Sequence, residues 1–203
     1  MLHNIKSMIC YQSPIMDILK IYALDLEMNY SGSPEVIRHD SKELVSLLED
    51  IEFSPEFPFN NDIMCDYRVE SRSVIWKPKA MDITVCVSAF VQCDPGDAKT
   101  VFRKYKIPNS TFTYYSDENI IERQFGNYGA DIRYIRFHQR LKYRMQMITG
   151  APLPFEQTDA YRKRAVKDRL TEEMICDYMR KLGYPVDEER FYEAEEVYVV
   201  EDR

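Results

Sequence analysis

The hydrophobic and polar positions follow their most regular pattern between residues 131 and 148. Apolar side chains recur there at intervals of three and four residues: Tyr134, Phe137, Leu141, Met145 and Ile148. This spacing is typical of the buried face of an amphipathic helix. The pattern therefore predicts one helix over residues 131–148, with these five side chains in the core.

The first half of the chain shows mainly strand patterns, with alternating positions and β-forming side chains. The predicted strands cover residues 18–28, 64–70, 73–77 and 82–92. One short helix is predicted over residues 41–50, with Ser41 as its N-cap. The side chains that this helix is expected to bury are Leu44, Val45, Leu47 and Leu48.

The second half shows mainly helix patterns. Besides residues 131–148, the predicted helices cover residues 95–106, 116–125, 158–170 and 171–182. The pattern of residues 109–115 fits a strand or a loop. The pattern of residues 196–201 predicts a short final strand. The sequence thus predicts an α+β fold, in which a strand-rich N-terminal half forms a small, mostly antiparallel sheet that packs with a helix-rich C-terminal half.

Length and composition favour one globular unit. The chain has 203 residues, of which 45% are hydrophobic, enough for a substantial core. Residues 1–15 lack the regular pattern that begins at Met16. We expect a poorly ordered extension over residues 1–15 and a single α+β domain over residues 16–203.

The charge is unevenly distributed along the chain. The net charge is −7, yet residues 99–147 hold ten Lys and Arg against four Asp and Glu. Two explanations stay open: this basic block meets an external anion, or carboxylates of the same fold neutralise it. The net negative charge argues against a protein that coats nucleic acid over its whole surface.

The candidate binding residues lie within this basic block. Four arginines recur at helical spacing beside the apolar face, with two tyrosines close to them: Arg133, Arg136, Arg140, Arg144, Tyr134 and Tyr143. On a helix, the arginines would present their guanidinium groups together and could bind an anionic partner. Nearby His138 fits a structural histidine better than a general base.

We expect a soluble binding or regulatory protein without catalytic machinery that engages a polyanion or an acidic protein through the arginine-rich helix. The alternative is a nucleic-acid-binding protein, in which the arginines contact phosphates and Tyr134 or Tyr143 stacks on a base. The partner itself cannot be named from the sequence.

One acidic motif indicates a different chemistry. Asp25 and Glu27 are two residues apart on a predicted strand, so their carboxylates would share a face and could hold Mg²⁺. The hexapeptide at residues 23–28 resembles the first acidic motif of DEDD-type 3′–5′ exonucleases, and residues 61–66, which end at Asp66, resemble the second. The resemblance implies a metal-dependent phosphodiesterase that uses Asp25, Glu27 and Asp66. The third motif of that family has no counterpart, because His138 is not followed by an aspartate at the required spacing.

Other motifs are absent from the sequence. It contains no glycine-rich phosphate loop, no dinucleotide fingerprint and no zinc-spaced Cys/His set, so no cofactor is expected. Five cysteines without paired spacing favour a reducing compartment. No apolar run reaches the length of a membrane span, and no targeting segment is evident. We therefore expect a cytoplasmic protein that does not enter a membrane.

Overall fold

A single antiparallel sheet organises the part of the chain that the computed structural model describes, namely residues 5–29, 34–51, 72–88 and 95–202. The strands are β1 (Ser7–Tyr11), β2 (Pro34–His39), β3 (Arg72–Pro78), β4 (Thr84–Ser88), β5 (Asn109–Ser116), β6 (Ile120–Tyr128), β7 (Arg133–Arg140), β8 (Tyr143–Thr149) and β9 (Ala194–Asp202). The helices are α1 (Ile15–Asn29), α2 (Leu44–Glu49), α3 (Pro95–Tyr105) and α4 (Glu172–Lys181). Short 3₁₀ turns occur at Ser41–Glu43, Thr158–Arg162, Val166–Asp168 and Glu189–Tyr192.

The nine strands follow the order β2-β9-β3-β4-β1-β5-β6-β7-β8, and every neighbouring pair is antiparallel. Strand β1 lies in the middle and is buried along its whole length. Strands β5 to β8 form a meander in chain order. The last of them, β8, lies at one edge of the sheet.

Each face of the sheet has its own hydrophobic core. On the first face, Phe112, Phe125 and Phe137 pack with α2, α4 and the turns between residues 158 and 192. On the second face, α1 and α3 pack against side chains such as Ile9 and Ile75. Strands β1, β3 and β4, which are covered on both faces, have few solvent-facing positions and therefore do not alternate between exposed polar and buried apolar residues.

The prediction of a helix-rich C-terminal half is wrong, because residues 109–149 form four consecutive strands. The helix predicted over residues 131–148 is instead the hairpin of β7 and β8, and the helix predicted over residues 116–125 is replaced by β6. In β7, the residues from Arg133 to Ile135 are all buried, and so are Phe137 and His138. Burial on both faces removed the two-residue period that would have identified a strand.

Two further predictions fail near the N-terminus and one in the C-terminal third. Residues 18–28 belong to helix α1 and not to a strand. The poorly ordered extension predicted over residues 1–15 does not hold for Ser7–Tyr11, which form the central strand. Residues 158–170 form two short 3₁₀ turns in place of one helix.

Other predictions are confirmed. Helix α2 buries Leu44, Leu47 and Leu48, although Val45 is 41% exposed. Helix α2 is preceded by the 3₁₀ turn Ser41–Glu43, and the N-cap of this turn is Asp40, not the predicted Ser41. Strands β3, β4 and β9 and helices α3 and α4 also lie where the sequence predicts them.

Both ends of helix α4 are marked by capping residues. The Thr171 side chain accepts a hydrogen bond from the backbone N–H of Met174 at its start. Gly183 adopts a φ of +93° just after its end, where a residue without Cβ is favoured. The strand predicted at residues 64–70 lies outside the described residues, and the single domain over residues 16–203 stays a prediction.

Leu141 provides a direct test of the hairpin. It is 68% exposed and has a φ of +53°, which is unfavourable for a residue with a Cβ. We expect Leu141→Gly to leave the free energy of unfolding unchanged or to raise it by up to about 1 kcal/mol. Phe137→Ala, the control in the buried part of β7, should lower it by about 3–5 kcal/mol. Denaturant titration measures both, and a loss above about 2 kcal/mol for Leu141→Gly would show that Leu141 is a core residue.

Candidate functional site

Arg133 is buried and forms an ion pair within the protein. Its Nε lies 2.8 Å from Oε1 of Glu156 and its Nη2 lies 2.7 Å from Oε2, a bidentate geometry. The exposed fraction of the two side chains is only 3% and 0%. Its Nη1 donates to the carbonyl oxygens of Gly150 and Thr149, at 2.6 and 3.3 Å. Arg133 therefore serves the fold and is not available to an external anion.

Glu156 has further hydrogen-bond donors. The backbone N–H of Leu153 donates to Oε1 at 3.0 Å, and the Tyr161 hydroxyl donates to Oε2 at 3.2 Å. The Tyr161 and Tyr178 hydroxyl oxygens lie 3.0 Å apart. Burial, together with the hydrogen bond to Tyr178, raises the pKa of Tyr161. This network attaches the chain that follows β8 to the first face of the sheet.

Arg136 is also paired internally, on the second face of the sheet. Its Nε donates to Oε1 of Glu122 at 2.8 Å, and the same oxygen accepts from Nε2 of Gln124 at 2.8 Å. The other carboxylate oxygen lies 2.6 Å from Nδ1 of His138. Because a carboxylate can only accept, the Nδ1 of His138 donates. This buried hydrogen bond fits a structural role for His138, as the sequence predicts.

The four arginines do not share a face. In β7, Arg133 points to the first face of the sheet while Arg136 and Arg140 point to the second, since side chains alternate along a strand. Arg144 lies on β8, and its cross-strand partner is Gln139. The shared guanidinium face expected from helical spacing therefore does not exist.

The two candidate tyrosines differ in exposure. Tyr134 is buried, and its hydroxyl lies 3.4 Å from Oε1 of Gln124, so its ring cannot stack on a base. Tyr143 is 58% exposed, and its ring centroid lies 6.1 Å from that of His138. Of the two, only Tyr143 is accessible to a partner.

The acidic motif does not lie on a strand, as the predicted metal site required. Asp25 and Glu27 lie in α1, and residues two apart share a face of a strand but not of a helix. Asp66 lies outside the described residues. The pairing that the exonuclease resemblance required is therefore not supported by the secondary structure.

Arg123 is a buried cation that the sequence did not single out. Its guanidinium lies 3.8 Å from the centre of the Tyr114 ring and donates to the carbonyl oxygens of Tyr115 and Glu122. Burial lowers the pKa of this guanidinium. Its contacts are all with the body of the protein, so it contributes to packing of the sheet.

Two basic segments of the described chain lie next to each other in the fold. The first is the tip of the β7–β8 hairpin, with Arg140, Lys142 and Arg144. The second is the loop after the Thr158–Arg162 turn. Arg169 joins them: its Nη1 donates to Oε1 of Gln146 on β8 at 2.8 Å, and its Nε donates to the carbonyl oxygen of Lys163, also at 2.8 Å.

We call this combined region the basic surface. It consists of Arg140, Lys142, Arg144, Arg162, Lys163, Arg164, Lys167 and Arg169. None of these side chains forms an ion pair with a carboxylate of the described part of the chain. The sequence signal for its second segment was the run at residues 162–169, which has five basic residues and one acidic residue but was assigned to a predicted helix.

The chain matches no protein-family model, and its comparison with curated proteins and with solved structures gives no significant match. Among the described residues, no helix combines the length and apolar character needed to cross a membrane.

The Arg133–Glu156 pair is expected to be essential for stability. Glu156→Ala would leave a buried guanidinium without its counter-charge, so we expect the free energy of unfolding to fall by about 3–5 kcal/mol. Glu118→Ala, which removes an exposed carboxylate, should change it by no more than about 0.5 kcal/mol. Both values come from urea titrations. A loss below about 1 kcal/mol for Glu156→Ala would contradict the role assigned to this pair.

Proposed function

We propose that this protein is a non-enzymatic binding protein that engages an anionic partner through the basic surface. The observation that carries the proposal is the contrast between two sets of cations. Arg133 and Arg136 are neutralised by Glu156 and Glu122, whereas the eight side chains of the basic surface have no ion-pair partner in the described chain. Uncompensated exposed cations gathered in one place favour a partner that supplies the negative charge.

The overall charge supports a local contact. A chain with a net charge of −7 repels a large polyanion at long range. Its basic surface attracts an anion only within about a Debye length, which is roughly 8–10 Å at physiological salt. The partner is therefore expected to present a short anionic segment.

A cytoplasmic location is part of this proposal. Cys176 is buried, and burial raises the pKa of its thiol to about 11, which keeps it protonated and unreactive. A buried thiol used as a small apolar side chain is typical of proteins from reducing compartments.

Single-stranded nucleic acid is a second candidate, favoured by one observation. Tyr143 is exposed opposite its cross-strand partner Arg140, and an accessible ring next to a cation is the combination that such proteins use to stack a base. The salt dependence of binding tests this candidate and the main proposal together.

We expect binding of a labelled oligothymidylate or a labelled oligoglutamate at 50 mM salt to weaken at 200 mM salt. Arg144→Gln combined with Arg164→Gln should reduce the affinity for either probe. For the oligonucleotide, it should also flatten the logarithmic salt slope by about 1.4, because each of the two lost phosphate contacts contributes about −0.7. Fluorescence anisotropy gives both quantities.

The matched control is Arg103→Gln combined with Lys104→Gln, which removes two exposed cations from α3. This control should bind both probes as the unmodified protein does. An equal loss of affinity in the two double variants would mean that binding depends on the overall charge of the protein and not on the basic surface. If neither probe binds at 50 mM salt, the proposed function is wrong.

A further inference from the structure

Strand β8 leaves one backbone edge of the sheet open in the described part of the chain. It pairs with β7 on one side, and it ends the strand order. The two strands are joined by the two-residue turn of Leu141 and Lys142, so the flanking pair Arg140–Tyr143 exchanges backbone hydrogen bonds. Alternation along the strand then directs the N–H and C=O groups of Arg144, Gln146 and Ile148 to the open edge.

The side chains of β8 differ between its two faces. Gln146 lies opposite Phe137, and this places Arg144, Gln146 and Ile148 on the first face of the sheet. Tyr143, Met145 and Met147 are on the second face. Tyr143 and Met147 are 58% and 45% exposed. The first face of the edge therefore carries Arg144 beside Gln146 and Ile148, whereas its second face is apolar.

Arg169, from the second segment of the basic surface, also lies on the first face, whereas Arg140 points to the second. The Arg169 guanidinium lies 5.6 Å from the centre of the Phe137 ring, beside its hydrogen bond to Gln146. The loop that carries Lys163 and Arg164 is held by the same guanidinium, through the carbonyl oxygen of Lys163. A strand placed beside β8 would have these cations along one of its faces.

We propose that an extended peptide segment of alternating acidic and apolar residues adds to β8 as a further strand of the sheet. Its acidic side chains lie on the face of Arg144 and Arg169, and its apolar side chains lie on the face of Tyr143 and Met147. Its backbone pairs with the open edge, as in other cases of strand addition. This inference rests on the proposed function and names the partner that the basic surface takes.

Charge favours such a peptide over a second copy of the chain. Antiparallel pairing of two β8 strands would bring two basic surfaces side by side without a carboxylate between them, and cations on an edge strand disfavour this kind of self-association. Nucleic acid would leave the backbone groups of the edge unused. It would also find one exposed ring, Tyr143, on a strand whose other second-face side chains are methionines.

The test uses three labelled probes with the unmodified protein. The first is a ten-residue peptide of alternating Glu and Val, and the second has five Glu followed by five Val. The third is a ten-nucleotide oligothymidylate. Because the block peptide cannot place its acids on one face of a strand, we expect it to bind about tenfold more weakly than the alternating peptide. The oligothymidylate is also expected to bind more weakly than the alternating peptide.

Amide hydrogen exchange and one charge reversal complete the experiment. Binding of the alternating peptide should slow exchange at the amides of Arg144, Gln146 and Ile148 by at least about tenfold, since they gain hydrogen-bond acceptors. Amides of α3 should not change. Arg144→Glu should weaken binding by at least about tenfold, and Arg103→Glu, its control on α3, should leave it unchanged.

The outcomes separate this inference from the proposed function. If the alternating peptide binds without protecting the three edge amides, or if the oligothymidylate binds more tightly, strand addition by an acidic peptide is wrong while the anionic site stands. The inference is also overturned if the edge amides are protected without peptide in a dimer seen by sedimentation. If none of the probes binds at 50 mM salt, both proposals fail.

Discussion

Strand β7 carries charged side chains through a sheet that is covered on both faces, and the surrounding structure has to neutralise them. Moving a guanidinium out of water costs several kcal/mol, unless a carboxylate and further acceptors replace the lost hydration. For Arg133, the replacement is the bidentate contact with Glu156 and two backbone carbonyl groups. For Arg136, it is Glu122, which also accepts from His138. The position of the segment that follows β8 is thus a consequence of a charge on β7.

This constraint links the fold to the candidate site. Once Glu156 is held at Arg133, the chain must continue along the first face of the sheet, where Tyr161 packs against Phe137 with a ring separation of 5.6 Å. The following loop then comes next to β8, and Arg169 contacts Gln146. The basic block of the sequence is therefore divided by the fold. Part of it is compensated internally, and part of it is gathered with a second basic segment at the edge of the sheet.

The sequence identified elements whose ends or faces carry a local signal. Thr171 and Gly183 mark the two ends of α4, and the apolar positions of α2 give a buried face. It failed for β6 to β8 because burial on both faces of β6 and β7 removes the two-residue period, and because the apolar side chains of the exposed strand β8 continue the helical spacing of β7. The hairpin turn was also unrecognisable, because Leu141 and Lys142 are not the Asn-Gly or Asp-Gly pair that usually indicates a two-residue turn. The basic surface could not be found from sequence, since it depends on the contact between residues far apart in the chain.

Leu141 connects this failure of prediction with the candidate site. A leucine at a φ of +53°, with 68% of its surface exposed, contributes little to the core and occupies a conformation that glycine would adopt more readily. Local choices that conflict with the fold tend to occur where function imposes its own requirement. In this chain one such conflict lies at the hairpin tip, between Arg140 and Tyr143, next to the open edge of β8. A large apolar side chain is thus exposed in the turn that leads into β8, where the backbone edge of the sheet begins.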